Sequence, residues 1–349
     1  MTKVSRRLFL AGVAAVPAIC RASSAQTKAS SVTLLNPIAA TLVDPAAQVQ
    51  KLADGFGFTE GPVWVAKGGY LLFSDVPGNV IWKLIPGQPP TVHRANIAFD
   101  GPDIWRVGGM NSNGFPEGDP RRERFAMIGP DGLALDRQGR VVLCSFAGRS
   151  IVRLERNGRR TVLADRYLGQ RFNGTNDLVV KRDGAIYFTD TFGGLRQRAN
   201  DPRKELPINA VYRWRDGSLS RVVEDMSSVN GLAFSPDEAL LYVNSGVENT
   251  INVYDVRSDG SLVNGRRFLQ LEGDREAGVT DGMKVDTRGN IYVTGPGGIW
   301  IVSPGGAHLA TIHFAEKPIN LAFGGPDRRS LFVTAHTGVY LVPVLIPGT

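Results

Sequence analysis

Six segments of the chain carry one pattern, and that repetition restricts the fold more than any other feature. They begin at Glu60, Asp131, Asn176, Asn230, Asp281 and Asn320. Each runs from its polar first residue through a short apolar stretch, a turn rich in Asp, Gly, Pro and Arg, and a second apolar stretch, 14 or 15 steps in all. Two apolar stretches around a polar turn read as a β-hairpin. Third strands are expected over 81–84, 150–154, 211–214, 251–256, 298–303 and 338–344, and fourth strands over 91–95, 161–165, 221–225, 267–271 and 308–314. The sixth unit runs out of chain before a fourth strand. Residues 49–56 have strand character and no partner of their own, so they are expected to complete that unit and close a ring.

Six four-stranded antiparallel sheets set radially make an all-β, six-bladed β-propeller, which leaves only short, protected sheet edges. The leading residues are separated by 71, 45, 54, 51 and 39 positions, which fits blades joined by loops of unequal length. The long first interval predicts an insertion over 97–127, rich in Gly, Asn and Ser near its middle. It reads either as a flap over one end of the channel or as a solvent loop. A two-domain chain or a sandwich would not explain why the polar residue recurs at one place in every unit. The expected organisation is a single propeller over 49–349, with a lead-in arm over 26–48.

Residues 1–25 combine a basic start, an apolar run and small residues near the end, as an export signal does. The Arg6 and Arg7 pair ahead of Leu8 resembles the twin-arginine type, with a plain Sec signal as the alternative, and a periplasmic or secreted location is expected. The segment holds four of the 40 basic residues and none of the 33 acidic ones, so the remainder carries only +3. No Lys/Arg stripe interleaved with aromatics supports nucleic-acid binding. No later apolar stretch is long enough to span a bilayer, so no membrane anchor is expected after the signal. Beyond it, Cys144 is the single cysteine, in an apolar strand where packing fits better than nucleophilic chemistry. Nothing here fixes an oligomeric state.

The innermost strand of each blade lines a propeller's axis, so equivalent residues of six strands meet at one height. Here they are three carboxylates and three carboxamides, all hard oxygen donors. Any one of them alone could simply tie a strand end through local hydrogen bonds. Six in register point elsewhere, because carboxylates crowded in a channel lose hydration and repel one another, and a divalent cation removes that cost. Oxygen ligation favours Ca²⁺, Mg²⁺ or Mn²⁺, with Zn²⁺ less typical. The four His residues lie outside these positions, and no Gly-x-Ser-x-Gly elbow is present.

The motifs FTEGPVWV from Phe58, RFNGTNDLVV from Arg171, VNGLAFSPDEALLYV from Val229, TDGMKVDTRGNIYVTG from Thr280 and NLAFGGPDRRSLFVTA from Asn320 resemble the gluconolactonase branch of the gluconolactonase, senescence-marker protein and luciferin-regenerating-enzyme family. The resemblance implies a six-bladed propeller with one catalytic divalent metal, Ca²⁺ foremost, at the channel centre. It implies Glu60, Asn230 and Asp281 as metal ligands and Asn176 as a ligand to metal or substrate. Three stretches depart from the family pattern: Asp131 where Asn is usual, Thr175 where Pro is usual before Asn176, and Thr191-Phe192-Gly193 where Pro-Pro-Tyr is usual. They surround the substrate end of the channel, so Asp131, Asn176 and Phe192 are candidate substrate-binding residues. Arg171 completes that set; it and Arg196 lie in loops that could overhang the channel.

The implied activity is a metal-dependent lactonase acting on a small molecule, with Asp281 as proton acceptor from an activated water as well as ligand. Two alternatives use the same residues differently. One is hydrolysis of a non-sugar ester, an aromatic lactone or an organophosphate; the other is a non-catalytic binding propeller with a structural metal.

Overall fold

The computed structural model describes residues 32–104 and 106–349; the segment expected to be an export signal and the start of the arm lie outside the described residues. Six antiparallel sheets surround one axis. Their innermost strands are Thr59–Val65, Pro130–Leu135, Thr175–Val180, Leu232–Phe234, Met283–Val285 and Pro318–Gly324, and each lies against the next, the last against the first. We number the blades 1 to 6 in that order. Blades 1 to 4 have four strands each in simple up-and-down order. Blade 6 is completed by Gln50–Asp54, which pairs with Gly338–Pro343, so the ring closes as the unpartnered segment predicted. Blade 5 gains a fifth strand, Val32–Leu34, paired with His308–Ile312.

The alternation of side chains along each strand gives every blade two apolar faces, and each face packs on a neighbouring blade. In blade 3, Tyr187 packs toward blade 4, while Ile186 and Phe188 on either side of it pack toward blade 2. The core is therefore six separate clusters, one at each blade–blade interface. The lead-in arm belongs to this core, since Ala39, Leu42, Val43 and Ala47 are buried in the cluster between blades 5 and 6. A seventh cluster, Phe58, Val76, Met127, Phe146 and Ile319, roofs one end of the axis. Among the described residues, no helix is long and apolar enough to cross a membrane.

The insertion over 97–127 contributes to that same end. It folds into a short hairpin, Met110–Ser112 against Arg124–Ala126. The hairpin is moored to blade 3 by hydrogen bonds from the Gly108 and Gly109 amides to the Gly194 and Gly193 carbonyls, 3.0 and 2.8 Å. Of the two readings of this segment, the structure favours the flap.

Candidate active site

A strand in regular alternation would send every second side chain into a blade face. At the leading residues the first strands break that rule. Their pairing with the second strand slips between Glu60 and Val63, Pro130 and Leu133, Thr175 and Leu178, and Pro318 and Asn320. These bulges twist the strand ends and re-aim the side chains. In blades 4 and 5 the regular strand starts only after Asn230 and Asp281. The glycine that follows a leading residue lets the strands converge. A Cβ on Gly231 would lie 2.0 Å from the Asp281 carbonyl oxygen, and one on Gly61, whose φ is +48°, would lie 2.1 Å from that of Asp131.

Three buried threonines fix the axial residues from behind. The Thr280 hydroxyl donates to the Ser245 carbonyl at 2.8 Å, and the Thr175 hydroxyl to that of Ser150 at 2.9 Å. Thr59 donates likewise to the carbonyl of Ala335. Each bond ties the residue just before Glu60, Asn176 or Asp281 to the preceding blade. The second strands add another set of polar side chains: Thr294 Oγ1 accepts the Asp281 amide at 2.7 Å and Thr189 Oγ1 accepts the Asp177 amide at 3.0 Å. Cys144 occupies the corresponding position in blade 2. It is fully buried, and burial pushes its thiol well above the usual value, so it does not act as a nucleophile.

Glu60, Asp131, Asn176, Asn230 and Asp281 all line one cavity of about 600 Å³ beneath the flap. Asn320 sits below them, its carboxamide donating to Glu60 Oε2 at 2.9 Å. The Asn176 amide donates to Asp131 Oδ2 at 2.9 Å. Phe58, Met110, Met127, Phe146 and Phe192 form an apolar wall, and Thr191, Asn209, Ser227 and Ser228 a polar one. Phe192 is thus where the sequence expected it. Arg171 is not in the cavity: its guanidinium donates to the Gly148 carbonyl at 3.0 Å and its amide to Glu205 at 2.8 Å. Arg196 is spent on the Ile104 and Val107 carbonyls at the root of the flap. The arginine at the cavity mouth is Arg198.

Asp177 and Lys284 escaped the sequence reading. Regular alternation from Asn176 would turn Asp177 away from the axis; the bulge in blade 3 instead places its carboxylate beside Gly132, 2.6 Å from where a Cβ would stand. Its charge raises the pKa of Glu60, and the Lys284 ammonium opposes that effect on both. Asp177 follows one of the six repeated residues directly, which was the available signal.

Burial and mutual repulsion dominate the electrostatics of these carboxyl groups. Burial first, and then neighbouring carboxylates, raise Glu60 to about 7. The same causes push Asp131 and Asp281 well above the usual carboxylate range. Asn176 Oδ1 and Asn230 Oδ1 are enclosed and have no hydrogen-bond donor among the described residues. Buried amide oxygens left bare beside carboxylates that resist ionisation suit a hard cation. No group of three or more His, Cys, Asp or Glu among the described residues is disposed to hold a metal unaided. The amide oxygens are therefore required members of any such site.

Known proteins resemble this one over the same region. The SMP-30/Gluconolactonase/LRE-like region matches residues 58–337. A gluconolactonase from Zymomonas mobilis is 30% identical over 363 aligned residues, covering 97% of each chain. Rabbit regucalcin is 26% identical, covering 79% of this chain and 82% of its own. The solved structure of a Xanthomonas campestris gluconolactonase superposes with a TM-score of 0.74 at 28% identity, covering 91% of this chain and 96% of that one. With its propeller closed and its axial oxygens in register, the chain belongs to the SMP-30/gluconolactonase/LRE-like family.

Proposed function

We propose that the protein hydrolyses a lactone, a sugar lactone or one related to it, with one divalent cation at the cavity floor. The observation that carries this reading is the pair of bare oxygens, Asn176 Oδ1 and Asn230 Oδ1, on side chains that line the same cavity as three carboxyl groups held toward their protonated forms. The gluconolactonase relatives support the substrate class, and they lend no support to an organophosphate or a binding-only reading. Glu60, Asn230 and Asp281, with Asn176, would hold the cation, Ca²⁺ being the first expectation for all-oxygen ligation. When bound, the cation supplies Lewis-acid stabilisation of the oxyanion that develops on the lactone carbonyl.

The chain's own residues supply the rest. Water attacks the carbonyl carbon and gives its proton to the carboxylate of Asp281, whose backbone is held by the bonds of Thr280 and Thr294. Collapse breaks the ring carbon–oxygen bond, and the departing alkoxide takes the proton back, leaving a hydroxy acid. The Asp131 and Asn176 side chains, joined by a hydrogen bond, would bond ring hydroxyls. Phe58, Phe146 and Phe192 pack the carbon skeleton and exclude bulk water. Export by the Arg6 and Arg7 signal belongs to this reading and rests on the N-terminal motif alone.

Asp281→Asn tests the assignment. Glucono-1,5-lactone turnover should fall roughly 10²–10⁴-fold, the usual worth of a positioned acid–base group. Full activity in that variant would refute the role given to Asp281.

A further inference from the structure

Beside Asp281 a side lobe of about 250 Å³ adjoins the cavity, sharing Phe58 and Asn111 with it as wall residues and bordered by Arg275, Glu276, Lys317 and His336. Lys317 is half-buried and, among the described residues, has no acidic partner within salt-bridge distance. The acid next to it is already committed: Glu316 accepts from Tyr340 and from the amide and hydroxyl of Thr337 at 2.7–2.8 Å, and pairs with Lys51 at 2.9 Å. Pro318 follows Lys317 and opens the innermost strand of blade 6, which restricts Lys317 to extended backbone and steadies its position. Burial pushes His336 below the ordinary imidazole value, so a neutral ring completes the wall. Arg275 gives one donor to the Gly246 carbonyl at 2.9 Å and keeps the rest of its fork. Glu276, the one acid bordering the lobe apart from Asp281, is exposed.

A half-buried lysine without an acidic partner, at the side of a substrate cavity, suits a role in specificity. We propose that this lobe receives an anionic substituent of the lactone, a carboxylate or a phosphate on the carbon chain away from the ring, with Lys317 as its counter-charge and Arg275 at its rim. The proposal rests on the lactone hydrolase reading and narrows its substrate to acidic sugar lactones. A charged hydrogen bond of this kind is worth a factor of roughly ten or more in discrimination.

The test uses the metal-replete enzyme and three substrates: neutral glucono-1,5-lactone, the carboxylate-bearing glucaro-1,4-lactone and 6-phosphoglucono-1,5-lactone. At least one charged lactone should exceed the neutral one in kcat/KM by about tenfold or more, and which one does so identifies the group. Lys317→Gln should lower the charged-to-neutral ratio by about tenfold, mostly through KM, Lys317→Arg should retain it, and added salt should erode it. A ratio unchanged in Lys317→Gln, or a neutral lactone preferred by the wild type, overturns the proposal. If none of the three is turned over, the hydrolase reading fails by itself. The lobe is then judged by thermal shift with glucarate against gluconate, and absence of a Lys317-dependent difference overturns it.

Discussion

Replacing Glu60 by Gln should stabilise the metal-free protein while removing its response to metal. The Glu60 carboxyl is buried, 4% exposed, and its pKa is raised from 4.5 to about 7, first by burial and then by Asp177. A raised acid pKa means that the folded state binds the proton more tightly than the unfolded one. Ionised Glu60 therefore costs nothing below pH 4.5, costs progressively more between 4.5 and 7, and costs its full amount above that. The difference corresponds to about 3 kcal/mol at pH 8, or roughly 5 °C in melting temperature for a domain of this size. Gln keeps the oxygen that accepts from Asn320 and the Gly61 amide but carries no charge. Calorimetry of chelator-treated protein should show Glu60→Gln melting several degrees above wild type at pH 8 and level with it near pH 4.5. With excess Ca²⁺ the order should reverse, since only wild type gains binding free energy. A metal-free variant that melts at or below wild type at pH 8 would refute the argument that uncompensated carboxylates burden this channel.

Cation affinity should weaken as pH falls through about 7, because Glu60 must give up its proton to bind it; titration calorimetry in buffers of different ionisation enthalpy should register a proton release that grows as the pH is lowered from 8 to 6. Thr280→Val keeps the shape but strands the Ser245 carbonyl, so it should cost about 1–3 kcal/mol and weaken both turnover and metal binding by loosening Asp281. A variant with wild-type stability and metal affinity would remove Thr280 from the account. Cys144, buried and held as a thiol, should stay unmodified by a thiol reagent in native protein and react fully in denaturant.

The propeller was legible because one pattern is written six times, and a residue that means little once means a good deal in register. The same register brought Glu60, Asp131, Asn176, Asn230 and Asp281 to one cavity before any contact was known. The parts that escaped depend on departures from regularity. Asp177 reaches the axis through a bulge, and a pattern of alternation cannot announce its own interruption. The Thr before Glu60, Asn176 and Asp281 works through a hydroxyl aimed at the preceding blade, a partner some 25 to 276 positions away in sequence. Arg171 was placed near the channel because its loop is, yet the loop's fold turns the side chain to Gly148. The lead-in arm lacked any pattern of its own and became part of the core by filling the space between blades 5 and 6.

The most direct test of the account strips the purified protein with a chelator, assays glucono-1,5-lactone and the charged lactones above, and restores Ca²⁺, Mg²⁺, Mn²⁺ and Zn²⁺ one at a time. The account predicts no turnover above the spontaneous rate in stripped protein and recovery with at least one divalent cation. Full hydrolysis by metal-free protein, or none with any of the four, would contradict it.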